Sequence, residues 1–356
     1  MFSQDMNLPN LLPLALGVII FSFAIASVLI VPFIDFLYKM RLVRHKEAPK
    51  SGKVPLFDKL HDIKAGTPTG GGILLVFLVS LLFAIVFPIA KNLGVYIYSA
   101  HNLAIELFII FFTLISFGLL GLMDDYIKIF GKPHPGLVGM WVGMSRTTKF
   151  IFQWILALII GYLLYKSLGI SIIHIPIFDK VVNLGFWYVP LSAFIIVFFT
   201  NAFNFTDGLD GLASGLLMIY LFAFGVIAAG NLDTPLSIFI GLWLGVIIAF
   251  LYFNVYPARI FLGDAGALSF GAMIAVIGLL TGNVLALFVI GGIFVIEAAS
   301  SAVQILGWKI LKKPILPLAP IHHAFLAIGW EEPKIVMRAW ILGIILAIFG
   351  LWLATI

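Results

Sequence analysis

The chain has 356 residues, of which 62% are hydrophobic and 10% charged, and its mean hydropathy is +1.17. Those values exclude a soluble globular domain and make lipid the solvent. The net charge is +5 and there is no cysteine, which removes disulfide frameworks, thiolate nucleophiles and cysteine-based zinc sites. In a lipid-solvated chain the placement of Lys and Arg matters more than their sum, so the positive balance does not imply a nucleic-acid partner.

Apolar runs of about 20 residues recur along the sequence, and helices at ~1.5 Å per residue need that length to cross ~30 Å of hydrocarbon. The runs do not alternate polar with apolar, as barrel strands do. Ten spans are predicted, at 11–37, 70–90, 103–123, 148–168, 186–203, 212–230, 235–253, 267–281, 284–310 and 337–355. The first is long enough to span and lacks a small-residue cleavage site, so it reads as a helix rather than a removed signal. The expected architecture is all-α and polytopic, a single domain over 1–356 with both termini on one side.

Eight Lys and Arg fall in 38–69, four in 124–150, one in 254–266 and five in 308–340, against only Lys91, Lys166 and Lys180 in the opposite loops. The positive-inside rule therefore assigns the basic loops to the cytoplasm and both termini to the outside. Chemistry is expected at the cytoplasmic face, because the outward loops are short or apolar.

Five of the sixteen acids lie at the predicted cytoplasmic helix ends. They are Asp124 and Asp125, then Asp207 and Asp210 within Asn201-Ala-Phe-Asn-Phe-Thr-Asp-Gly-Leu-Asp-Gly211, then Asp264 in Phe261-Leu-Gly-Asp-Ala-Gly266. One such acid caps or solvates a helix end. Several at one site repel one another unless a hard cation or a cationic substrate compensates. Magnesium fits, since it takes oxygen ligands and bridges carboxylates to phosphates; His322-His323 with a distant Asp make a weak zinc site. Gly70-Gly-Gly72, Gly208, Gly211, Gly263 and Gly266 stand beside these acids, which reads as backbone able to approach a ligand. Asn201, Asn204 and Asp207 recur every three residues and share a face if helical, lining a cavity.

Lys128 and Lys149 read either as anchors or as groups that neutralise phosphate. His322 and His323 read either as structural or as hydrogen-bond partners of a diphosphate. Glu297, deep in the ninth span, lines a polar groove or packs protonated. Glu106 and Asp35 read as interfacial.

Pro68-Thr-Gly-Gly-Gly72, Met123-Asp-Asp-Tyr-Ile-Lys128, Asn201 to Ala213, Phe253-Asn254 with Gly263-Asp264, and the histidine loop resemble the polyprenyl-phosphate N-acetylhexosamine-1-phosphate transferases, in order from about 60 to 340. Ala319-Pro-Ile-His-His323 and Gly329-Trp-Glu-Glu-Pro-Lys-Ile-Val-Met-Arg338 are most similar to the phospho-N-acetylmuramoyl-pentapeptide transferase branch. One departure stands out: that branch carries a third histidine and a glutamate where this chain has Ala324 and Leu326.

The resemblance implies a multi-pass enzyme of the bacterial inner membrane, using UDP-N-acetylmuramoyl-pentapeptide and undecaprenyl phosphate and releasing UMP. Membrane lipid is the implied surroundings and a second copy of the chain a candidate partner. It also implies Asp264 on Mg2+, Asp124 and Asp125 at the lipid phosphate and metal, and His322 and His323 near the diphosphate. A nucleotide pocket of Lys64, Asn204, Asp207, Asp210 and Phe261 follows, with Thr69 and Lys149 also toward substrate and Asn254 and Lys128 completing a polar floor. The lipid phosphate is already ionised near neutral pH, which favours direct in-line attack over a covalent Asp264 intermediate. The alternatives are the N-acetylglucosamine-1-phosphate branch and, in another class, a secondary transporter, whose site is expected near the midplane.

Overall fold

In lipid every backbone amide must be satisfied within its own segment, so the apolar runs become helices. The computed structural model describes residues 11–44, 64–130 and 144–356. These residues form α1 (Leu11–Lys39), α2 (Gly71–Asn92), α3 (Leu103–Phe130) and α4 (Arg146–Tyr162), the last continued by a π-turn over Leu163–Ser167. A small antiparallel hairpin follows, β1 (Ile172–Ile175) with β2 (Lys180–Asn183), in the register Ile172 opposite Asn183. Then come α5 (Tyr188–Thr206), α6 (Leu212–Gly230), α7 (Thr234–Asn254), α8 (Asp264–Leu280), α9 (Val284–Ile290), α10 (Gly292–Ile310), α11 (Ile321–Ala327) and α12 (Glu332–Thr355).

Among the described residues, nine helices are long and apolar enough to cross a bilayer. The sixth predicted span coincides with α6, and two others depart from expectation for physical reasons. The eighth is α8, whose 17 residues reach only ~26 Å at 1.5 Å per residue. Every residue of α8 after Asp264 is buried, and α2, α3 and α5 pack around it, so neighbours rather than lipid fix its length. The ninth, predicted as one helix over 284–310, is two. Gly291 leaves the helical conformation between α9 and α10, and a side chain there would meet the Phe199 ring at 2.7 Å and the Leu287 carbonyl at 2.9 Å.

Helices in lipid gain little from the hydrophobic effect and associate through close packing. Accordingly, Gly241 and Gly245 of α7 lie against α1, where a side chain on Gly245 would collide with Ser22 and the Ile19 carbonyl. Phe239, Trp243 and Phe270 then fill the interface of α7 with α8, with ring centroids 5.7 and 5.0 Å apart.

The same device sets the start of α8. Gly72 of α2 packs on the backbone of Gly266, and Gly121 of α3 packs on the carbonyl of Asp264, neither leaving room for a Cβ. Thr69 forms a parallel bridge with Phe261, while the amides of Gly71 and Gly72 donate to the carbonyls of Phe261 and Leu262 at 2.9 and 2.7 Å. Asp264 therefore stands where three helices meet.

Candidate active site

Asp124 and Lys128 lie one helical turn apart in α3 and pair at 2.8 Å, as residues at i and i+4 do. From the first turn of α4, Lys149 reaches Asp124 Oδ2 at 2.8 Å and Asp264 Oδ2 at 2.5 Å. Lys128 reaches the same Asp264 oxygen at 2.6 Å. Each lysine thus bridges both carboxylates. Asn204 donates to Asp264 Oδ1 at 3.2 Å, and the Met144 amide donates to Asp124 Oδ1 at 2.8 Å. The clustered acids predict a metal or a cationic substrate to compensate them. The first compensation is internal, from Lys128 and Lys149, and it offsets much of the cost of burying the charges.

Asp125 points the other way. Its Oδ1 and Oδ2 accept from the amides of Asp264 and Ala265 at 3.1 and 3.0 Å. A helix start leaves its first amides without intrahelical partners, and here a neighbouring helix caps them.

A second grouping joins elements far apart in the chain. Lys64 Nζ lies 2.6 Å from Asp210 Oδ1 and 2.5 Å from Glu332 Oε1. Glu332 also accepts from the Asp210 amide at 2.6 Å, and Asp210 Oδ2 accepts from the Ala258 amide at 2.9 Å. Beside it the Phe261 ring has Arg44 and Lys64 at 5.8 and 6.0 Å from its centroid, so its π-face is polarised by cations.

The turn after α5 connects these groupings. The Asp207 amide donates to the Phe203 carbonyl at 3.1 Å, and the pKa of its carboxyl group is raised to about 7, chiefly by burial and then by the charge of Asp264, against Lys64 and Arg44. Gly208 lies directly against His322 and His323, leaving no space for a side chain. The two imidazoles of α11 lie tilted against each other, with centroids 4.1 Å apart and planes at 58°. His322 Nδ1 is 2.9 Å from Glu297 Oε2 of α10, with both side chains under 5% exposed.

Several expectations are modified. The glycines read as room for a ligand instead admit protein: Gly72 and Gly266 each other, Gly208 the histidines. Asn201 and Asn204 lie on α5, whereas Asp207 is already past its end; Asn201 is spent on Gln153 Oε1 at 2.7 Å. Asn254, assigned to a polar floor, is 3% exposed, donating to the Ile260 carbonyl and accepting from Ser214. Thr69 Oγ1 faces the Cα of Gly263 beside Asp264. Glu106, read as interfacial, is fully buried and accepts from Ser99 Oγ at 2.5 Å. Glu332 received no role from sequence, although an acid just before Pro333 at a helix start was a visible cap signal.

Residues 107–282 match the family model of glycosyl transferase family 4. The chain is 36% identical over 338 residues to a phospho-N-acetylmuramoyl-pentapeptide-transferase of Geobacillus sp. (strain WCH70), covering 94% of this chain and 96% of that one. A protein of the same name from Bacillus pumilus is 33% identical over 337 residues, with 94% and 96% covered. Another from Geobacillus thermodenitrificans is 35% identical over 335 residues, with 93% and 95% covered. The chain belongs to the phospho-N-acetylmuramoyl-pentapeptide-transferase family. With its spanning helices, that membership makes it a multi-pass bacterial membrane protein and a phospho-sugar transferase. The family-model match runs from α3 to the end of α8 and so holds the Asp124, Lys128, Lys149 and Asp264 grouping. Lys64, the histidines and Glu332 lie outside it, within the stretch the whole-length relatives cover.

Proposed function

We propose that this chain transfers phospho-N-acetylmuramoyl-pentapeptide from its UDP-linked donor to undecaprenyl phosphate, giving the lipid-linked peptidoglycan precursor and UMP, at the cytoplasmic face. The observation that carries the reading is the pair of lysines shared between Asp124 and Asp264, in a chain aligned over 94% of its length with transferases of that name. The orientation rests on the excess of Lys and Arg at that end.

A lysine bridging two carboxylates can exchange one of them for a phosphate oxygen without losing its hydrogen bonds. Lys128 and Lys149 accordingly hold the diphosphate and acceptor phosphate and neutralise charge as the bond to UMP breaks. The acceptor phosphate is ionised near neutral pH, its second pKa being about 6, so direct in-line attack needs no carboxylate as base. Lys64 and Phe261 contact the nucleotide, the ring offering a face to uracil.

Magnesium is the proposed cofactor, and the residues fit it. The donors are hard carboxylate oxygens, and Asp264 Oδ1 accepts one hydrogen bond, from Asn204 at 3.2 Å, while a carboxylate oxygen has two lone pairs. Asp264 is the residue to hold the ion, and Asp124 joins it only by giving up a lysine at Oδ2, since its Oδ1 accepts the Met144 amide. Asp125 does not fit, as both its oxygens accept backbone amides. When bound, magnesium supplies charge neutralisation and orientation at the phosphates. At the departure from the family pattern, Ala324 is buried within α11. A missing histidine there removes at most one hydrogen bond to a charged group, worth ~1.5–3 kcal/mol, which leaves donor choice unchanged.

The test is UMP release by the purified protein in detergent with magnesium. Release should require undecaprenyl phosphate, stop with a chelator, and favour UDP-N-acetylmuramoyl-pentapeptide over UDP-N-acetylglucosamine. The opposite donor preference would move the chain to the sister branch, and solute uptake into vesicles without UMP release would make it a transporter.

A further inference from the structure

Glu297 belongs to neither lysine grouping, yet it lies inside α10 with its carboxylate on His322 Nδ1 at 2.9 Å, both side chains under 5% exposed. The other ring nitrogen, Nε2, is buried and has no hydrogen-bond partner among the described residues. Nε2 lies under the Asp207–Asp210 turn, so close to Gly208 that any side chain there would collide with it. Buried polar atoms normally find partners within the fold. An imidazole gripped at one nitrogen and unspent at the other, beside two acids of the site, is the arrangement of a group awaiting a ligand.

We propose that Glu297 is a positioning residue for the transfer reaction, fixing the rotamer and tautomer of His322 so that Nε2 faces the bound donor. The proposal rests on the function proposed above. A carboxylate oxygen can only accept, so the His322 proton is held on Nδ1 and the working nitrogen is Nε2. Without Glu297 the ring is free to place its proton on Nε2 and to rotate. Carboxylate partners of metal-bound histidines act this way, and their loss typically costs about 10- to 100-fold in metal affinity or activity, the scale expected for Glu297. The docking of α11 on α10 does not depend on the carboxyl group. Ser300 Oγ donates to the Glu297 carbonyl at 2.7 Å and accepts from the Ile321 amide at 3.0 Å, clamping the two helices through backbone.

Two measurements on the full-length protein in detergent test this. In 15N-histidine NMR without substrates, His322 should carry its proton on Nδ1 in the native chain and in Glu297→Gln, whose amide oxygen still accepts. In Glu297→Ala the proton should move to Nε2. In the UMP-release assay, Glu297→Ala should lower kcat/KM about 10- to 100-fold with the melting temperature unchanged, and Glu297→Gln by less than about tenfold. In a His322→Ala background, Glu297→Ala should add less than about threefold, since the residue acts through the ring. An unchanged tautomer in Glu297→Ala, or an equal loss of activity with and without His322, overturns the proposal. The NMR result does not depend on which donor is used, so absence of transfer from every donor would reject the function while leaving the tautomer assignment standing.

Discussion

The two ends of the bundle bury acids in opposite company. Where α3 ends, Asp124 and Asp264 share Lys128 and Lys149. Where α3 begins, Glu106 lies beside Asp233, and among the described residues neither pairs with a lysine or arginine. Glu106 accepts from Ser99, and Asp233 caps α7 through the Leu236 amide at 3.0 Å. Burial raises the Asp233 pKa, against the Leu236 amide and the nearby His101. Acids answered by lysines keep charges that a phosphate can take over. Acids that face each other are spent on holding helix ends and loops together. Burial alone therefore does not mark a site; the neighbour does.

The largest expected effect tests that distinction directly. Asp264→Asn removes the carboxylate shared by both lysines and the proposed metal, and should lower kcat about 100- to 1,000-fold, since one charge-stabilising group is worth ~2.7–4 kcal/mol. The two lysines stay paired with Asp124, so the melting temperature should hardly move. UMP release within about tenfold of native would reject the assignment. Gly121→Ala leaves every polar residue in place but drives a methyl group into the Asp264 carbonyl. It should cost ~1–3 kcal/mol of stability and about 10- to 100-fold in kcat/KM, because the start of α8 must shift. Full activity in that variant would mean that the junction of α3 and α8 does not set the site.

A smaller effect comes from Asp207, whose pKa of about 7 lies above that of an unfolded carboxylate. The folded state therefore binds the extra proton, and stability falls as pH rises from ~4 to ~7. Asp207→Asn should raise the melting temperature little at pH 5 and by a few degrees at pH 8, the gain being reduced by solvent screening. A gain that shrinks as pH rises would contradict the direction of this shift. The smallest effect is expected at the other end. Glu106→Gln should change kcat/KM by less than about threefold while altering thermal stability, and a hundredfold loss of transfer would remove the contrast between the two ends.

Sequence carried the helical architecture, and it singled out most of the polar residues that the fold brings together, because both follow from strong signals. Apolar length fixes spans, and acids at the ends of apolar runs are too costly to be casual. It missed what depends on contact between distant segments. The break at Gly291 is invisible to hydropathy because Gly291 and Gly292 keep the run apolar. Glu332 was passed over because its partner, Lys64, is 268 residues away. Glu297 has two readings from sequence, since nothing in the linear order says that His322 folds back onto it. The glycines were noticed for the right reason, close approach, but assigned the wrong neighbour. Asp124 and Asp125 show the limit best: adjacent in sequence and alike in chemistry, they point to opposite tasks because successive helix positions turn by about 100°.

The turn from Asp207 to Asp210 contacts the histidines and the Lys64 grouping and lies within the field of Asp264. Asp207 feels the charge of Asp264, Gly208 rests on the histidines, and Asp210 holds Lys64. It is thus a shared joint between the proposed nucleotide side and the proposed lipid-phosphate side. Were a bound donor to shift this joint, the affinity for the acceptor would change with it. Thermodynamic reciprocity then requires the acceptor to change donor affinity by the same factor.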